Sequence, residues 1–194
     1  MLEVRALSCE RNRRPLFENL SFTVSGGQLL RIEGGNGSGK TTLLRILCGL
    51  YVDHEGEVDW DLPDFPLFVS HRPGVKDVLT PLENLGWLCE VFGQPMPEAR
   101  LLEALDTVGL LRYADQPCGA LSEGQRKRVN LARLFVLDSP AWILDEPFSA
   151  IDAAGVRQLI DAIEAQLEKG GLVLLTSHQP LDTRAPTTTL RLGE

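Results

Sequence analysis

Apolar and polar residues follow two different periods along the chain, and the change of period divides it into three parts. The first part alternates as strands do, for example at Leu20, Phe22 and Val24, and a Gly26-Gly27 pair then marks a turn. Short apolar runs return in the last third. Strands are predicted at residues 2–9, 20–24, 28–33, 57–60, 67–70, 141–144, 172–176 and 187–192, the last of them at an edge.

Helical spacing dominates the middle part. Helices are predicted at 42–48, 81–92, 97–108 and 122–137, and a further helix begins after an Asp152 N-cap and ends at Gly170-Gly171. Nearly all-apolar strands that alternate with helices indicate a parallel sheet covered on both faces. We therefore predict one α/β unit over 1–194, with a core from about 1–75 and 138–194, an antiparallel β subdomain at its start, and an inserted helical subdomain at 76–137.

Composition narrows the class of protein. The 194 residues carry a net charge of −8 and no long basic run, which disfavours a nucleic-acid partner. No stretch approaches the roughly 20 apolar residues of a membrane span, and the first residues lack the pattern of a signal peptide, so a cytosolic location is expected. The four cysteines are far apart in the chain and are expected to be buried, inert thiols.

One glycine-rich stretch predicts a nucleotide site. It matches Gly-x-x-x-x-Gly-Lys-Ser/Thr at every position, with a predicted strand before it and a helix after it. Its backbone N–H groups and the helix start would cradle phosphates, Lys40 would reach the β and γ oxygens of ATP, and the Thr41 hydroxyl would bind Mg²⁺. The residues are Gly34, Gly35, Asn36, Gly37, Ser38, Gly39, Lys40, Thr41 and the following Thr42. An incidental glycine-rich turn is the alternative interpretation.

Two acids close the strand at 141–144. Asp145 is predicted to hold Mg²⁺ through water, and Glu146 to polarise the attacking water as general base. Without the phosphate loop, the same pair would also be consistent with a strand end that carries two solvated carboxylates.

A second anion site is predicted at Ser122, Gly124 and Gln125. Ser122 is a good N-cap, and Gln125 three residues later completes a capping box. The helix start and the glycine backbone also suit a phosphate, and one chain has no obvious need for two such sites. A second copy of the chain does.

These motifs, in this order, resemble the nucleotide-binding subunits of ABC transporters over nearly the whole chain. Residues 34–41 resemble Walker A, 121–125 the signature, 143–146 Walker B, 149–152 the D-loop, and His178 the switch histidine. The resemblance implies a P-loop NTPase fold and a head-to-tail homodimer, in which Ser122 and Gly124 of one copy meet the γ-phosphate held by the other. His178 is then expected to contact that phosphate.

Four further segments are similar to segments of the ATPase subunit of the haem exporter of cytochrome c maturation. They are Cys9-Glu10-Arg11 with Leu16-Phe17, and the segments 79–85, 147–152 and 177–181. The resemblance implies an ATP hydrolase at the cytoplasmic face of the inner membrane, bound peripherally to an integral-membrane subunit. Haem would not be bound by this chain, which has no Cys-x-x-Cys-His run. A different exporter, or a nucleotide-sensing adaptor with little turnover, are the alternatives.

The chain departs from the family pattern at three positions. Arg72 stands where a metal-contacting Gln is usual; it contacts phosphate, or its loop only transmits motion, or it is an ordinary exposed arginine. The usual adenine-stacking aromatic is absent, and Arg11 either stacks on the base or is solvated. Glu123 replaces a small signature residue and is expected to face away from phosphate.

The surface that meets the membrane partner is expected in the helical subdomain and in the segment 72–85. Four apolar residues there are predicted to be core of the subdomain in preference to partner contacts. They are Trp87, Leu88, Val91 and Phe92.

Overall fold

A computed structural model describes residues 1–62, 65–177 and 181–193. Two compact units share the chain. The first comprises Met1–Phe68, Ser139–Pro147 and Ile163–Glu194, and the second Val69–Asp138 and Phe148–Ala162.

A three-stranded antiparallel sheet opens the first unit. Its order is β2 (Arg14–Val24), β1 (Leu2–Arg11) and β4 (Glu55–Trp60). The β1–β2 hairpin is longer than predicted, because Asn12 and Arg13 both adopt positive φ at its tip. The usual sequence sign of such a tight hairpin is Asn-Gly. Here Arg13 follows Asn12 in place of the glycine, and arginine rarely takes that conformation.

The second sheet of the first unit has five strands. Its order is β5 (Leu67–Val69), β6 (Ala141–Leu144), β7 (Leu172–Thr176), β3 (Leu29–Gly34) and β8 (Thr187–Leu192). The β6–β7, β7–β3 and β3–β8 pairs are parallel, and every residue of β6 and β7 is buried. This confirms the predicted parallel sheet and places β8 at its edge. The carboxyl ends of β3, β6 and β7 therefore lie side by side.

The core of the first unit joins both sheets to helix α1 (Lys40–Leu47). Leu43, Leu44, Ile46 and Leu47 on α1 are at most 3% exposed, and they belong to one apolar cluster with residues of β1, β3 and β7. Burying such side chains contributes about 1.5–3 kcal/mol each. The helix that follows the phosphate loop is thus held by its apolar face.

Helix α5 (Ala153–Glu168) begins after the predicted N-cap, since the Asp152 carboxylate accepts the Gly155 N–H at 2.9 Å. Near its end, Glu164 accepts the Arg184 N–H at 2.7 Å and the Thr183 hydroxyl at 2.8 Å. These bonds lower the pKa of Glu164 and tether the segment that leads into β8.

Helices α2 (Pro81–Val91), α3 (Glu98–Thr107) and α4 (Glu123–Ala132) form the second unit and contact one another pairwise. The single helix predicted at 122–137 is wrong in its second half. After α4 the chain tightens into a 3-10 turn at Arg133–Phe135. The apolar spacing continues through that turn, with Leu131 and Leu134 buried, so the pattern did not show the change.

Three of the four apolar residues predicted to be core of this subdomain are exposed. Trp87 is 43% exposed, Val91 60% and Phe92 43%, while Leu88 is half-buried. The apolar side of α2 that does face inward carries Leu85 and the buried thiol of Cys89 instead. The helix is apolar on a wider arc than its packing uses.

A buried amide pins the loop before α2. The Asn84 Nδ2 donates to the carbonyl oxygens of Lys76 and Thr80 at 3.0 Å each, and its Oδ1 accepts the Lys76 N–H at 2.8 Å. The Lys76 ammonium also lies 3.7 Å from the centre of the Trp87 ring. The loop is thereby held against the helix it precedes.

Candidate functional site

The loop between β3 and α1 needs glycine for two physical reasons. A Cβ on Gly34 (φ 153°) would lie 2.5 Å from the Ser38 hydroxyl oxygen and 2.7 Å from the Leu192 carbonyl oxygen. At Gly39 (φ 95°), a Cβ would come within 3.1 Å of Leu16. Gly37 is different, because its φ of 82° favours glycine while no atom crowds the position.

The first turn of α1 is open to an anion. Among the residues that the structure describes, no side chain caps its N-terminus, and its first turn holds no acid. Lys40 starts the helix and is 7% exposed, with its ammonium 2.7 Å from the Gly34 carbonyl and 2.9 Å from the Gly35 carbonyl. Exposed backbone N–H groups, the helix dipole and a lysine therefore converge on one loop.

Asp145, directly after β6, accepts hydrogen bonds from two neighbouring elements. The Thr41 hydroxyl of α1 donates to its Oδ2 at 2.9 Å, and the Thr176 hydroxyl at the end of β7 donates to its Oδ1 at 2.9 Å. Asp145 is 2% exposed and Thr176 is fully buried. The carboxylate is thus fixed beside the first turn of the phosphate-loop helix.

Glu146 continues from Asp145 with an unusual backbone. Its φ is 49°, a left-handed conformation that non-glycine residues seldom take, and its N–H donates to the Thr176 hydroxyl at 2.8 Å. Thr176 therefore orders both acids, since its single hydroxyl donates to one residue and accepts from the other. Backbone strain of this kind is concentrated at functional sites.

Glu146 and the phosphate loop share an open cleft of about 220 Å³ in the first unit. Arg11 and Leu16, from the two sides of the β1–β2 hairpin, form its wall next to the loop. The lining residues are Arg11, Leu16, Asn36, Gly37, Gly39, Lys40, Thr41, Thr42 and Glu146.

Two oxygen donors suit Mg²⁺, one from Thr41, which lines this cleft, and one from Asp145, which is hydrogen-bonded to Thr41. The Thr41 hydroxyl and the Asp145 carboxylate are 2.9 Å apart, and hard oxygen ligands are those that Mg²⁺ prefers. Among the described residues, no group of three or more His, Cys, Asp or Glu side chains is placed to hold a metal ion. Mg²⁺ usually takes one or two protein ligands and completes its shell with water and phosphate.

The signature segment lies in the second unit. Ser122 caps α4, with its hydroxyl accepting the Gln125 N–H at 3.2 Å, while the Gln125 side chain accepts the Ser122 N–H at 2.8 Å. The predicted capping box is therefore present. Glu123 at the first position of the helix is exposed.

The remaining predicted residues are placed as follows. Arg72 is exposed, and its carbonyl accepts the Ser70 hydroxyl at 2.6 Å. His178, the predicted switch histidine, lies outside the described residues. The four cysteines are all unpaired and buried, and burial raises the pKa of the Cys48 thiol to about 12.

Comparison with known proteins decides the family. The model of the ABC transporter family matches residues 17–149. The chain belongs to the ABC transporter family. It is accordingly an ATP-hydrolysing cassette of the ABC type.

The relatives and solved structures agree with that family. The "Cytochrome c biogenesis ATP-binding export protein CcmA" of Hahella chejuensis is 45% identical, over 100% of this chain and 96% of that protein. The protein of the same name from Yersinia pestis bv. Antiqua is 48% identical over 93% and 87%. An ATP-binding protein of a putative ABC transporter from Pyrococcus furiosus superposes with a TM-score of 0.83 at 25% identity, covering 97% of this chain and 96% of that one.

The resemblance to the cytochrome c maturation ATPase and the predicted fold are thereby confirmed. Sequence reasoning missed Thr176 and Leu16 as site residues. Thr176 left a usable signal, since it is the polar end of an otherwise apolar strand whose neighbour carries Asp145. Leu16 left none, because an apolar residue within a strand is usually core.

Proposed function

We propose that this ABC cassette hydrolyses Mg-ATP to power an export step of cytochrome c biogenesis, with haem as the cargo of its membrane partner. The name of the 45–48% identical relatives supports the export step. The observation that carries the hydrolytic part is the grouping of Lys40, Thr41, Asp145 and Glu146 at adjoining strand ends.

Each residue has a role in this proposal. The loop Gly34–Thr42 and the start of α1 bind the phosphates, and Lys40 leaves its two carbonyl partners to contact the β and γ oxygens. Thr41, and Asp145 through water, would hold Mg²⁺, which would neutralise phosphate charge. Glu146 accepts a proton from the attacking water, and Thr176 keeps its backbone in place.

The adenine base of the nucleotide is held by Arg11 and Leu16. The planar guanidinium stacks on one ring face, and Leu16 supplies an apolar contact at the mouth of the loop. Stacking and apolar contact do not read the hydrogen-bonding edge of a base, so discrimination between purine nucleotides is expected to be weak.

Two copies form the working unit. The γ-phosphate bound by one copy is faced by Ser122, Gly124 and Gln125 of the other copy. His178 contacts that same phosphate. The start of α4, where the exposed Ser122 is the N-cap, supports the anion site in the second unit. The solved structure of a dimeric bacterial ABC transporter cassette, 25% identical with a TM-score of 0.84, supports the dimer.

The membrane partner docks on the second unit. Val78 is 84% exposed, Val91 60% and Trp87 43%, and Asn84 holds the loop that presents the first of these. No described helix is apolar enough over a sufficient length to cross a bilayer. We propose that the cassette lies peripherally at the cytoplasmic face of the inner membrane and that it binds neither haem nor nucleic acid itself.

Steady-state release of phosphate from the purified protein tests the hydrolytic part. Glu146→Gln keeps the shape and size of the side chain but removes the carboxylate that acts as general base. Turnover is therefore expected to fall by about 100-fold or more while ATP still binds. The variant is also expected to elute as an ATP-bound dimer on sizing. A nucleotide-sensing adaptor, which the exposed Arg72 would suit, predicts negligible release from the wild type.

The export part needs a separate experiment. Membranes from cells that produce tagged cassette should yield an integral-membrane subunit on affinity purification, and loss of the cassette should prevent haem attachment to cytochrome c. Normal haem attachment in cells that carry only Glu146→Gln would refute this part and leave the hydrolytic part intact.

A further inference from the structure

A buried lysine lies on the signature helix. Lys127 on α4 is 3% exposed, and its ammonium lies 3.1 Å from the Ser149 hydroxyl and 3.5 Å from the His71 carbonyl oxygen. Lysine is seldom fully buried unless its charge is paired or hydrogen-bonded. The hydroxyl it contacts belongs to the segment 149–152, which follows Glu146 in the chain and ends at the N-cap of α5.

Two further contacts join the segment 149–152 to the same helix. A Cβ on Gly124 would lie 2.7 Å from the Ala150 carbonyl oxygen, so only glycine allows this backbone approach. One turn later, the Arg128 guanidinium lies 2.7 Å from the Asp152 carboxylate. Positions 124, 127 and 128 share one face of a helix, so the whole segment follows a single side of α4.

The segment 149–152 does not take its conformation from local preference. Ala150 has a φ of 58°, which costs an alanine free energy and persists when the surroundings impose it. Of the three contacts, the ion pair of Arg128 with Asp152 is on the surface, where water and salt weaken it. The contact of Lys127 is shielded from water and is therefore the strongest candidate for imposing this conformation.

We propose that Lys127 is a positioning residue for ATP turnover, whose buried ammonium holds Ser149 so that the segment 149–152 and the signature helix move as one body. This inference rests on the proposed function. Because the ammonium acts through Ser149, its loss should slow turnover without weakening ATP binding.

Lys127→Met and Lys127→Arg separate this role from packing. Methionine keeps an unbranched apolar chain of similar length and lacks the charge and the donors, whereas arginine keeps both. We expect Lys127→Met to lower kcat by about tenfold with KM for ATP changed less than about twofold, as a displaced catalytic element does. Lys127→Arg should retain at least about a third of kcat, the rescue that a charge-assisted contact predicts.

Arg126→Met is the matched control. Arg126 precedes Lys127 on the same helix but reaches Asp77 at 3.4 Å, so its loss removes a cation and leaves the segment 149–152 untouched. Its kcat is expected within about twofold of wild type, as for other surface ion pairs. A tenfold loss in this control as well would overturn the proposal, because any charge on α4 would then matter.

Ser149→Ala provides the second arm and decides the question alone if Lys127→Met does not fold. It should lower kcat as Lys127→Met does, and the double variant should be no slower than either single variant. Wild-type kcat in Ser149→Ala, or fully additive losses in the pair, would overturn the inference. If the wild-type protein shows no phosphate release that depends on Glu146, the proposed function is overturned instead. The two failures are therefore distinguishable.

Discussion

Thr176 offers a sharp test of how the site is held together, because one buried hydroxyl orders both acids. Thr176→Val keeps the β-branched shape and removes the oxygen. Asp145 then loses the donor to its Oδ1, and the Glu146 N–H loses its acceptor. Thr176→Ser is the matched control, since it keeps the hydroxyl and removes a methyl group.

The magnitudes follow from burial. Thr176 is 0% exposed and Asp145 2%, so water does not replace the lost partners without rearrangement. A buried group left without its hydrogen bond costs about 1–3 kcal/mol, and two such groups give about 2–6 kcal/mol of lost unfolding free energy for Thr176→Val. Removing one buried methyl costs about 1 kcal/mol for Thr176→Ser.

Urea unfolding followed by circular dichroism measures the free energy of unfolding, and phosphate release measures kcat. We expect Thr176→Val to be the less stable variant and to lose about tenfold in kcat through displacement of Glu146. Thr176→Ser should remain within about threefold of wild-type kcat. Valine as stable as serine at this position, or equal kcat in the two variants, would refute the claim that the hydroxyl organises the acids.

Three other predictions test separate parts of the structure. Gly34→Ala should unfold at clearly lower urea and lose ATP binding, because its Cβ meets the Ser38 hydroxyl at 2.5 Å, whereas Gly37→Ala, which meets no atom, should cost only about 1–2 kcal/mol of backbone strain; equal losses would contradict the steric argument. In the native protein at pH 8 the cysteines should react slowly with a thiol reagent, whereas all four should react after denaturation, since they are buried and burial raises the pKa of Cys48 to about 12. Rapid labelling of the native protein would contradict this prediction. The Arg184 N–H and the Thr183 hydroxyl lower the pKa of Glu164, so its stabilisation is present above the unfolded pKa of 4.5 and is lost as pH falls through the folded pKa. Glu164→Gln should therefore unfold at lower urea than wild type at neutral pH, and the difference should narrow as the pH falls below 4.5. A difference that does not narrow would show another cause.

The proposed partner surface illustrates a limit of pattern reasoning. Helical spacing placed Trp87, Val91 and Phe92 in a helix, but an apolar residue is equally compatible with a core and with an interface. The exposed fractions of these three side chains decided for the surface. Apolar side chains left in water at one side of a helix are typical of a site where another protein docks.

The sequence by itself determined the strand and helix order, the phosphate loop and the two acids, because these depend on local spacing and on residue type. Glycines at fixed offsets, a lysine at a helix start and an acid after an apolar strand express their chemistry within a few residues of the chain. The same local rules predicted the Ser122 and Asp152 caps, which the structure shows.

Only the tertiary structure decided which distant groups share a hydrogen bond. Thr176 reaches Asp145 across 31 residues, and Lys127 reaches Ser149 across 22, through sheet and helix contacts that no local pattern encodes. The conversion of the end of the 122–137 helix into a 3-10 turn, in which Leu134 is buried, is likewise a place where packing outweighs weak local preferences. Local residue chemistry therefore predicts the individual elements and motifs. Burial of the apolar faces determines which elements pack together, and a hydroxyl or an ammonium excluded from water forms its hydrogen bond with a group that this packing brings near it.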